Sequence, residues 1–169
     1  FSPDTRHQME FEIDLDRSRA ESWLASKQGL ANTDKLEDLS KELFSDPVWL
    51  RGIKLWDLGL TDDARTELDS LLRDKQEDAL ASYQLSLAYR QLGYYFGAIQ
   101  AARNSLEAIG VADLQEAPRS ISHLRYGLYY QDLIIPAAQE YDIDPLMIFA
   151  IVRQESLFQS TVVSSAHAQ

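Results

Sequence analysis

The stretch WLRGIKLWDLGLTDDARTELDSLL spans residues 49–72 and returns in related form, as QLSLAYRQLGYYFGAIQAARNSL, at residues 84–106. Identical residues lie at one constant offset of 34 positions: Leu58-Gly59 with Leu92-Gly93, Ala64 with Ala98, and Leu72 with Leu106. In each copy a Gly can end one helix, and a small Ala lets the next helix pack closely against the first. The repetition therefore predicts antiparallel helix hairpins near residues 46–75 and 78–107.

A period of 34 residues is typical of tetratricopeptide helix hairpins. Two such units, together with the helices before them, would form a short α-solenoid of the kind that usually holds a protein partner. The alternative is that two unrelated helix pairs match at a few positions. Composition also favours an all-α fold, because the 169 residues include only 7 Gly and 5 Pro and are rich in good helix formers.

Helix signals before and after the hairpins divide the chain into two modules. A first helix is expected from about Asp16 to Gln28, with Gly29 as its stop, and a second through Leu36, Leu39 and Leu43. Residues 108–130 contain Gly110, Pro118 and Gly127 and show no sustained period. The sequence thus predicts a helical-repeat module at 1–115 and the N-terminal part of a second domain at 116–169.

Two more helices are expected in the second module. Asp144 and Pro145 form a helix start, because Asp caps free backbone amides and Pro at the first helical position loses no hydrogen bond. Pro136 predicts that the preceding helix begins near Ile135 or is kinked there. The last helix is apolar on nearly all sides, so we expect it to be buried.

Glu155 is the candidate catalytic residue, because it lies three, four and seven residues after Val152, Ile151 and Ile148. An apolar setting and a helix C-terminus both disfavour the charged carboxylate, and a retained proton is what a general acid needs. The alternative is that the helix frays and the carboxylate reaches water. Asp144 lies 11 residues earlier, about 16 Å along a helix, too far for the second carboxylate of a glycosidase.

The residues from Tyr129 to Gln169 carry a specific combination of features. They are Asp-Pro before the helix, the tetrad Arg-Gln-Glu-Ser at 153–156, Phe158, and a Ser-rich turn at Ser164 and Ser165. In these features the segment resembles the opening of the catalytic domain of soluble-type lytic transglycosylases, the goose-lysozyme-like enzymes that cut bacterial peptidoglycan. The helical repeats are also similar to the superhelical regions that precede this domain in some of those enzymes.

The resemblance implies a function and a site. It implies cleavage of the β-1,4 bond between N-acetylmuramic acid and N-acetylglucosamine, with a 1,6-anhydro product and Glu155 as acid and then base. It also implies that Ser156 and Ser164 contact the substrate and that peptidoglycan glycan strands are the partner. No cofactor is expected, and no metal, because His7, His123 and His167 show no metal-ligand spacing. His167 stands where the family commonly has Gly, and we interpret it as a variation on a turn.

The family continues for over a hundred residues that build the sugar cleft, whereas this chain ends at Gln169. We therefore expect a fragment that does not cleave peptidoglycan alone. Its last helix is expected to be disordered after about Leu157, or to pack on the repeats or on a second copy, with a homodimer favoured over the repeats. The competing interpretation is a non-catalytic helical-repeat module that binds a protein partner. Tyr94, Tyr95 and Phe96 are interpreted as inter-helix packing, with a sugar-stacking patch as the alternative.

Charge and composition restrict partners and location. Twenty-seven Asp and Glu against 16 Lys and Arg give a formal net charge of −11, which argues against nucleic-acid binding. No apolar run approaches the roughly 18–20 residues of a membrane span. The absence of Cys fits cytoplasm and bacterial envelope equally. The resemblance implies a periplasmic or extracellular place in the bacterial cell envelope, with any signal upstream of Phe1.

Overall fold

The structure is a computed structural model that describes residues 17–29, 36, 38–111 and 116–159. These residues form helices and turns without a strand, which confirms the all-α class for the described part of the chain. The helices are α1 at 17–28, α2 Lys41–Phe44, α3 Pro47–Asp57, α4 Thr61–Asp74, α5 Ala79–Gln91, α6 Tyr95–Ala108, α7 Arg119–Arg125, α8 Gln131–Glu140 and α9 Pro145–Ser156. Among them, none is both long and apolar enough to cross a bilayer.

The two predicted hairpins are confirmed as α3 with α4 and α5 with α6, the two most extensively packed helix pairs in the described chain. Their turns have the same geometry, with φ of 76° at Gly59 and 78° at Gly93. The amide after each Gly donates to the carbonyl five residues earlier: Leu60 to Leu55 at 2.9 Å, and Tyr94 to Tyr89 at 2.8 Å. The positive φ explains the Gly at both turns, since a Cβ would be strained there.

Small residues set the close approach within the first hairpin and at the equivalent place in the second. Ala64 and Ala98 are completely buried. A Cβ added to Gly52 would lie only 2.7 Å from a methyl carbon of Leu68, so α3 and α4 approach each other closely at this Gly. Ser86, the 34-residue equivalent of Gly52, is also fully buried, and its hydroxyl donates to the Tyr83 carbonyl at 2.7 Å.

The helices before the hairpins match the predictions made from the sequence only in part. Helix α1 ends at residue 28, and Gly29 follows with φ of 67°, as expected. The predicted second helix is too long, because helical structure covers only Lys41–Phe44. Ser40 accepts a hydrogen bond from the Leu43 amide and so starts the helix after Leu39. Leu36 is buried in a turn instead.

Pro136 lies inside α8, so of the two alternatives predicted for it, a helix that begins near Ile135 is wrong, whereas a helix kinked at this point stays a prediction. The helix begins at Gln131, after Tyr130 in a left-handed conformation with φ of 59°. Pro136 removes one backbone donor, but Ile134 and Ala138 on either side of it are buried and hold the helix in place.

Helix α9 is only partly covered, which corrects the expectation that it is buried on nearly all sides. Phe149 is 5% exposed, whereas Leu146 and Met147 are 64% and 59% exposed. The covered side belongs to an apolar cluster with Ile99 of α6, so α9 packs toward the second hairpin, the contact that the sequence favoured less. Phe158 is 3% exposed, so packing continues past Leu157, whereas the residues after 159, for which disorder was also expected, lie outside the described residues. Pairing of two copies stays a prediction.

Tyr129 joins α7 to this cluster. Its ring stacks on Tyr95 with a centroid distance of 4.5 Å, and its hydroxyl donates to the Leu124 carbonyl at 2.6 Å. Burial raises the pKa of Tyr129 from 10.0 to about 12. A phenol whose pKa is higher in the folded chain stabilises the fold fully below pH 10, and this contribution is lost as pH rises from 10 through 12.

We therefore expect the free energy of unfolding to fall between pH 10 and 12, with about 3 kcal/mol of the loss coming from Tyr129. Urea unfolding curves at successive pH values measure it. Tyr129→Phe should be less stable at pH 8, because it loses the hydrogen bond to Leu124, and should lose less stability above pH 10. Parallel pH curves for the two proteins would contradict the assignment.

Candidate active site

Glu155 is held near the end of a helix whose two termini are both fixed. At the start of α9, the Asp144 carboxylate accepts from the Leu146 amide at 2.9 Å, and Pro145 occupies the first turn, as predicted. At its end, Leu157 and Phe158 adopt positive φ values of 47° and 61°, which turn the chain sharply. Non-glycine residues in this conformation persist only where surrounding contacts hold them.

Phe158 supplies those contacts. Its buried ring lies 5.4 Å from the Tyr129 ring and 6.5 Å from the Phe149 ring, measured between centroids. Because Phe158 is three residues after Glu155, its burial fixes the point where the chain leaves the helix. The position of the Glu155 backbone is therefore set by aromatic packing and not by a flexible end.

The Glu155 side chain is exposed. Ile151, one turn earlier, is 50% exposed, and Val152 and Ile148 are half-buried. The carboxyl group thus lies at the border between the packed side of α9 and an exposed apolar side. The burial expected from sequence is not observed, and the alternative in which the carboxylate reaches water describes this structure.

No second carboxylate of α9 stands near Glu155. Asp144 caps the opposite end of the helix, 11 residues away, and Asp142 precedes it with φ of 52°. Eleven residues correspond to about 16 Å of helix, more than the roughly 5–10 Å that separates paired carboxylates in glycosidases. The observed bounds of α9 therefore agree with the separation of Asp144 and Glu155 expected from the sequence.

Arg153 adds a feature that sequence reasoning missed. Its guanidinium donates to the Arg125 carbonyl at 2.7 Å and lies 4.3 Å from the centroid of the Tyr126 ring. Arg125 approaches the same ring at 5.4 Å. Burial lowers the pKa of the Arg153 guanidinium. Arg153 therefore ties α9, the helix that carries Glu155, to the end of α7. The sequence indicated a role for Arg153 only through its position in the Arg-Gln-Glu-Ser tetrad at residues 153–156.

Of the two serines predicted to bind substrate, only Ser156 lies among the described residues. The Ser156 hydroxyl donates to the Val152 carbonyl at 2.9 Å, so toward a substrate it can act mainly as an acceptor. Ser164 lies outside the described residues, as does His167. Within the described ranges, no group of three or more His, Asp or Glu side chains could hold a metal ion.

These observations define a site built on a short helix, with one exposed carboxyl group beside an apolar surface. Such a site is suited to proton transfer to a ligand that binds from solvent. The profile of the transglycosylase SLT domain family matches residues 132–169, a segment that contains most of α8 and all of α9. The match supports a lytic transglycosylase-like domain in this part of the chain. Searches of curated proteins and of solved structures gave no match.

Proposed function

We propose that this chain contributes to a lytic transglycosylase that cleaves the β-1,4 bond between N-acetylmuramic acid and N-acetylglucosamine and leaves a 1,6-anhydro product. The SLT match points to transglycosylase-type activity on peptidoglycan, and it is the observation that carries the proposal. The proposed catalytic residue, Glu155, lies inside the matched segment on a helix with both ends fixed.

In the proposed reaction, Glu155 first acts as an acid. Its carboxylic proton passes to the glycosidic oxygen as the bond from that oxygen to C1 of the muramyl residue breaks. The carboxylate then takes the proton of the muramyl 6-hydroxyl, whose oxygen attacks C1 and closes the anhydro ring. The proton given is regained, no water is consumed, and the enzyme returns to its starting state.

A single carboxyl group suffices in this scheme, because the substrate's N-acetyl group assists at C1 in place of a second carboxylate. The separation of Asp144 from Glu155 along α9 supports that arrangement. The exposure of Glu155 bears on access only, since a long glycan strand can reach this carboxyl group from solvent.

The proposed organisation keeps the two modules of the sequence analysis. Residues 1–115 would form a tetratricopeptide-like module able to hold a protein partner, and residues 116–169 the first part of the catalytic domain. The equal turn geometry at Gly59 and Gly93 supports the repeat relationship. A peptidoglycan substrate places the protein in the bacterial cell envelope.

The test uses the protein as its organism makes it, incubated with purified peptidoglycan sacculi. The proposed reaction gives muropeptides whose muramyl ends are one water lighter than the products of hydrolysis, a difference that mass spectrometry detects. Reducing-end products would indicate a hydrolase instead. Binding to sacculi without any released product would favour the non-catalytic interaction module.

A further inference from the structure

A cleft opens between the turns of the two hairpins and the chain that follows α9. It has a volume of about 200 Å³, and both Phe158 and Gln159 line it. Four half-buried aromatic residues also line it: Trp56, Tyr95, Phe96 and Tyr130. Tyr94 lines it too, with only 2% of its surface exposed.

Polar groups also reach this cleft. The Arg65 guanidinium lies 5.9 Å from the centroid of the Tyr94 ring, and the Thr61 side chain and Gln159 complete the wall. The cleft is therefore lined by aromatic residues together with an Arg, a Thr and a Gln. Binding sites for small ligands are commonly built in this way, from apolar walls and a few polar groups that fix orientation.

Packing accounts for only part of this arrangement. Trp56 lies 5.6 Å from Tyr94, and Phe96 lies 6.3 Å from the same ring, so these side chains do contribute to the core. Trp56, Tyr95 and Phe96 nevertheless keep part of their surface exposed, and all three line the same cleft. Of the three aromatic residues at 94–96, Tyr94 is buried and serves mainly in packing. Tyr95 and Phe96 are half-buried, and they both pack and line the cleft.

We infer that this cleft is a binding subsite for one N-acetylated sugar ring of a peptidoglycan strand, apart from the bond that is cleaved. A pyranose presents an apolar C–H face that packs on an aromatic ring, and its hydroxyl and acetamido groups hydrogen-bond to groups such as Arg65 and Gln159. The volume is below the roughly 300–1,000 Å³ of sites for drug-sized ligands, which suits a single ring.

The position of the cleft favours a glycan over other ligands, and here the inference rests on the proposed function. Phe158 and Gln159 belong to the segment matched by the SLT family and follow Glu155 by three and four residues. A glycan strand held in the cleft would therefore contact residues that lie within four positions of the proposed acid in the sequence. A proline-rich peptide is the other class that aromatic grooves bind.

The test follows the indole N–H signals of the three Trp residues in the ¹⁵N-labelled chain by NMR. Titration with the soluble β-1,4 tetramer of N-acetylglucosamine should shift the Trp56 signal saturably and leave that of Trp23 unchanged. Trp23 is a suitable internal control, because it packs in a separate apolar cluster with Leu24 and Tyr83. Trp23→Phe and Trp56→Phe assign the signals.

Substitution gives the second measurement. Trp56→Leu keeps an apolar side chain but removes the flat face, and it should weaken tetramer binding by about fivefold or more. Trp23→Leu should leave the affinity unchanged. Phe96→Leu, at a different wall of the cleft, should also weaken binding, so the inference remains testable if the Trp56 variant is unstable.

An unmoved Trp56 signal at saturating tetramer, or equal affinities for all variants, would overturn the inference. A shift produced by a proline-rich peptide but not by the tetramer would assign the cleft to a polypeptide and also overturn it. The experiments can reject the sugar subsite without rejecting the catalytic function, and the reverse. Released anhydro-muropeptides with no effect at Trp56 would overturn only the subsite, and tetramer binding at Trp56 without released products would overturn only the catalytic function.

Discussion

Glu155→Gln is expected to reduce the formation of anhydro-muropeptides by at least about a hundredfold while leaving the fold unchanged. The amide has nearly the volume of the carboxylic acid but carries no proton that it can give and take back. Because Glu155 is exposed and lies outside the apolar cluster that packs α9, the substitution has no structural reason to destabilise the helix. Mass spectrometry of products released from sacculi, in the protein as its organism makes it, measures the loss.

Glu140→Gln is the matched control, since Glu140 is also an exposed glutamate, at the end of α8 within the same family match. It should release products at the normal rate. Equal circular dichroism spectra for both variants would show that the fold is retained. Normal product release by Glu155→Gln would contradict the assigned role, whereas equal losses in both variants would point to a general effect of charge.

The hairpins could be predicted from sequence because local signals and tertiary packing agree there. Gly59 and Gly93 are required by positive φ, and Ala64 and Ala98 by full burial, so the same residues mark the turn and the helix crossing. The repeat made these signals readable, since each position could be compared with its equivalent 34 residues away.

The covering of α9 could not be predicted in the same way. An apolar sequence shows which side chains can be buried, but the surface that buries them comes from distant parts of the chain. Phe149 is buried in the apolar cluster that includes Ile99 and Tyr129, while Leu146 and Met147 remain exposed although they are also apolar. Pro136 failed as a helix start for a similar reason, because buried neighbours outweigh the loss of one backbone hydrogen bond.

The candidate site was predicted at the level of one residue and not of its surroundings. Spacing placed Glu155 near the end of a helix, which the structure confirms. The contact between Arg153 and the Arg125 carbonyl joins residues 28 positions apart, and no local sequence pattern predicts such a contact. The cleft beside Phe158 likewise joins residues from 56 to 159, so only the folded chain brings its aromatic side chains together.

Tyr94 is a buried aromatic side chain at the start of the second helix of the second hairpin. Its ring contacts those of Trp56, Tyr89 and Phe96, with centroid distances between 5.5 and 6.3 Å. Its hydroxyl donates to the Asp69 carboxylate of α4 at 2.6 Å, so the residue links the two hairpins as well. A Cβ at Gly97 would lie 2.4 Å from the Tyr94 ring, which shows how closely α6 encloses it.

Tyr94→Ala is therefore expected to lower the free energy of unfolding by about 3–5 kcal/mol, as other large-to-small aromatic substitutions in cores do. For a chain of 169 residues this corresponds to a fall of roughly 6–20 °C in Tm. Tyr94→Phe, which removes only the hydrogen bond to Asp69, should cost about 1–3 kcal/mol. Tyr141→Ala is the control, because Tyr141 is 69% exposed and should change stability by no more than about 0.5 kcal/mol. Urea unfolding followed by circular dichroism measures all three variants. A loss at Tyr94→Ala no greater than at Tyr141→Ala would show that the hairpins pack without this ring, since Tyr94 would then make no net contribution despite its contacts.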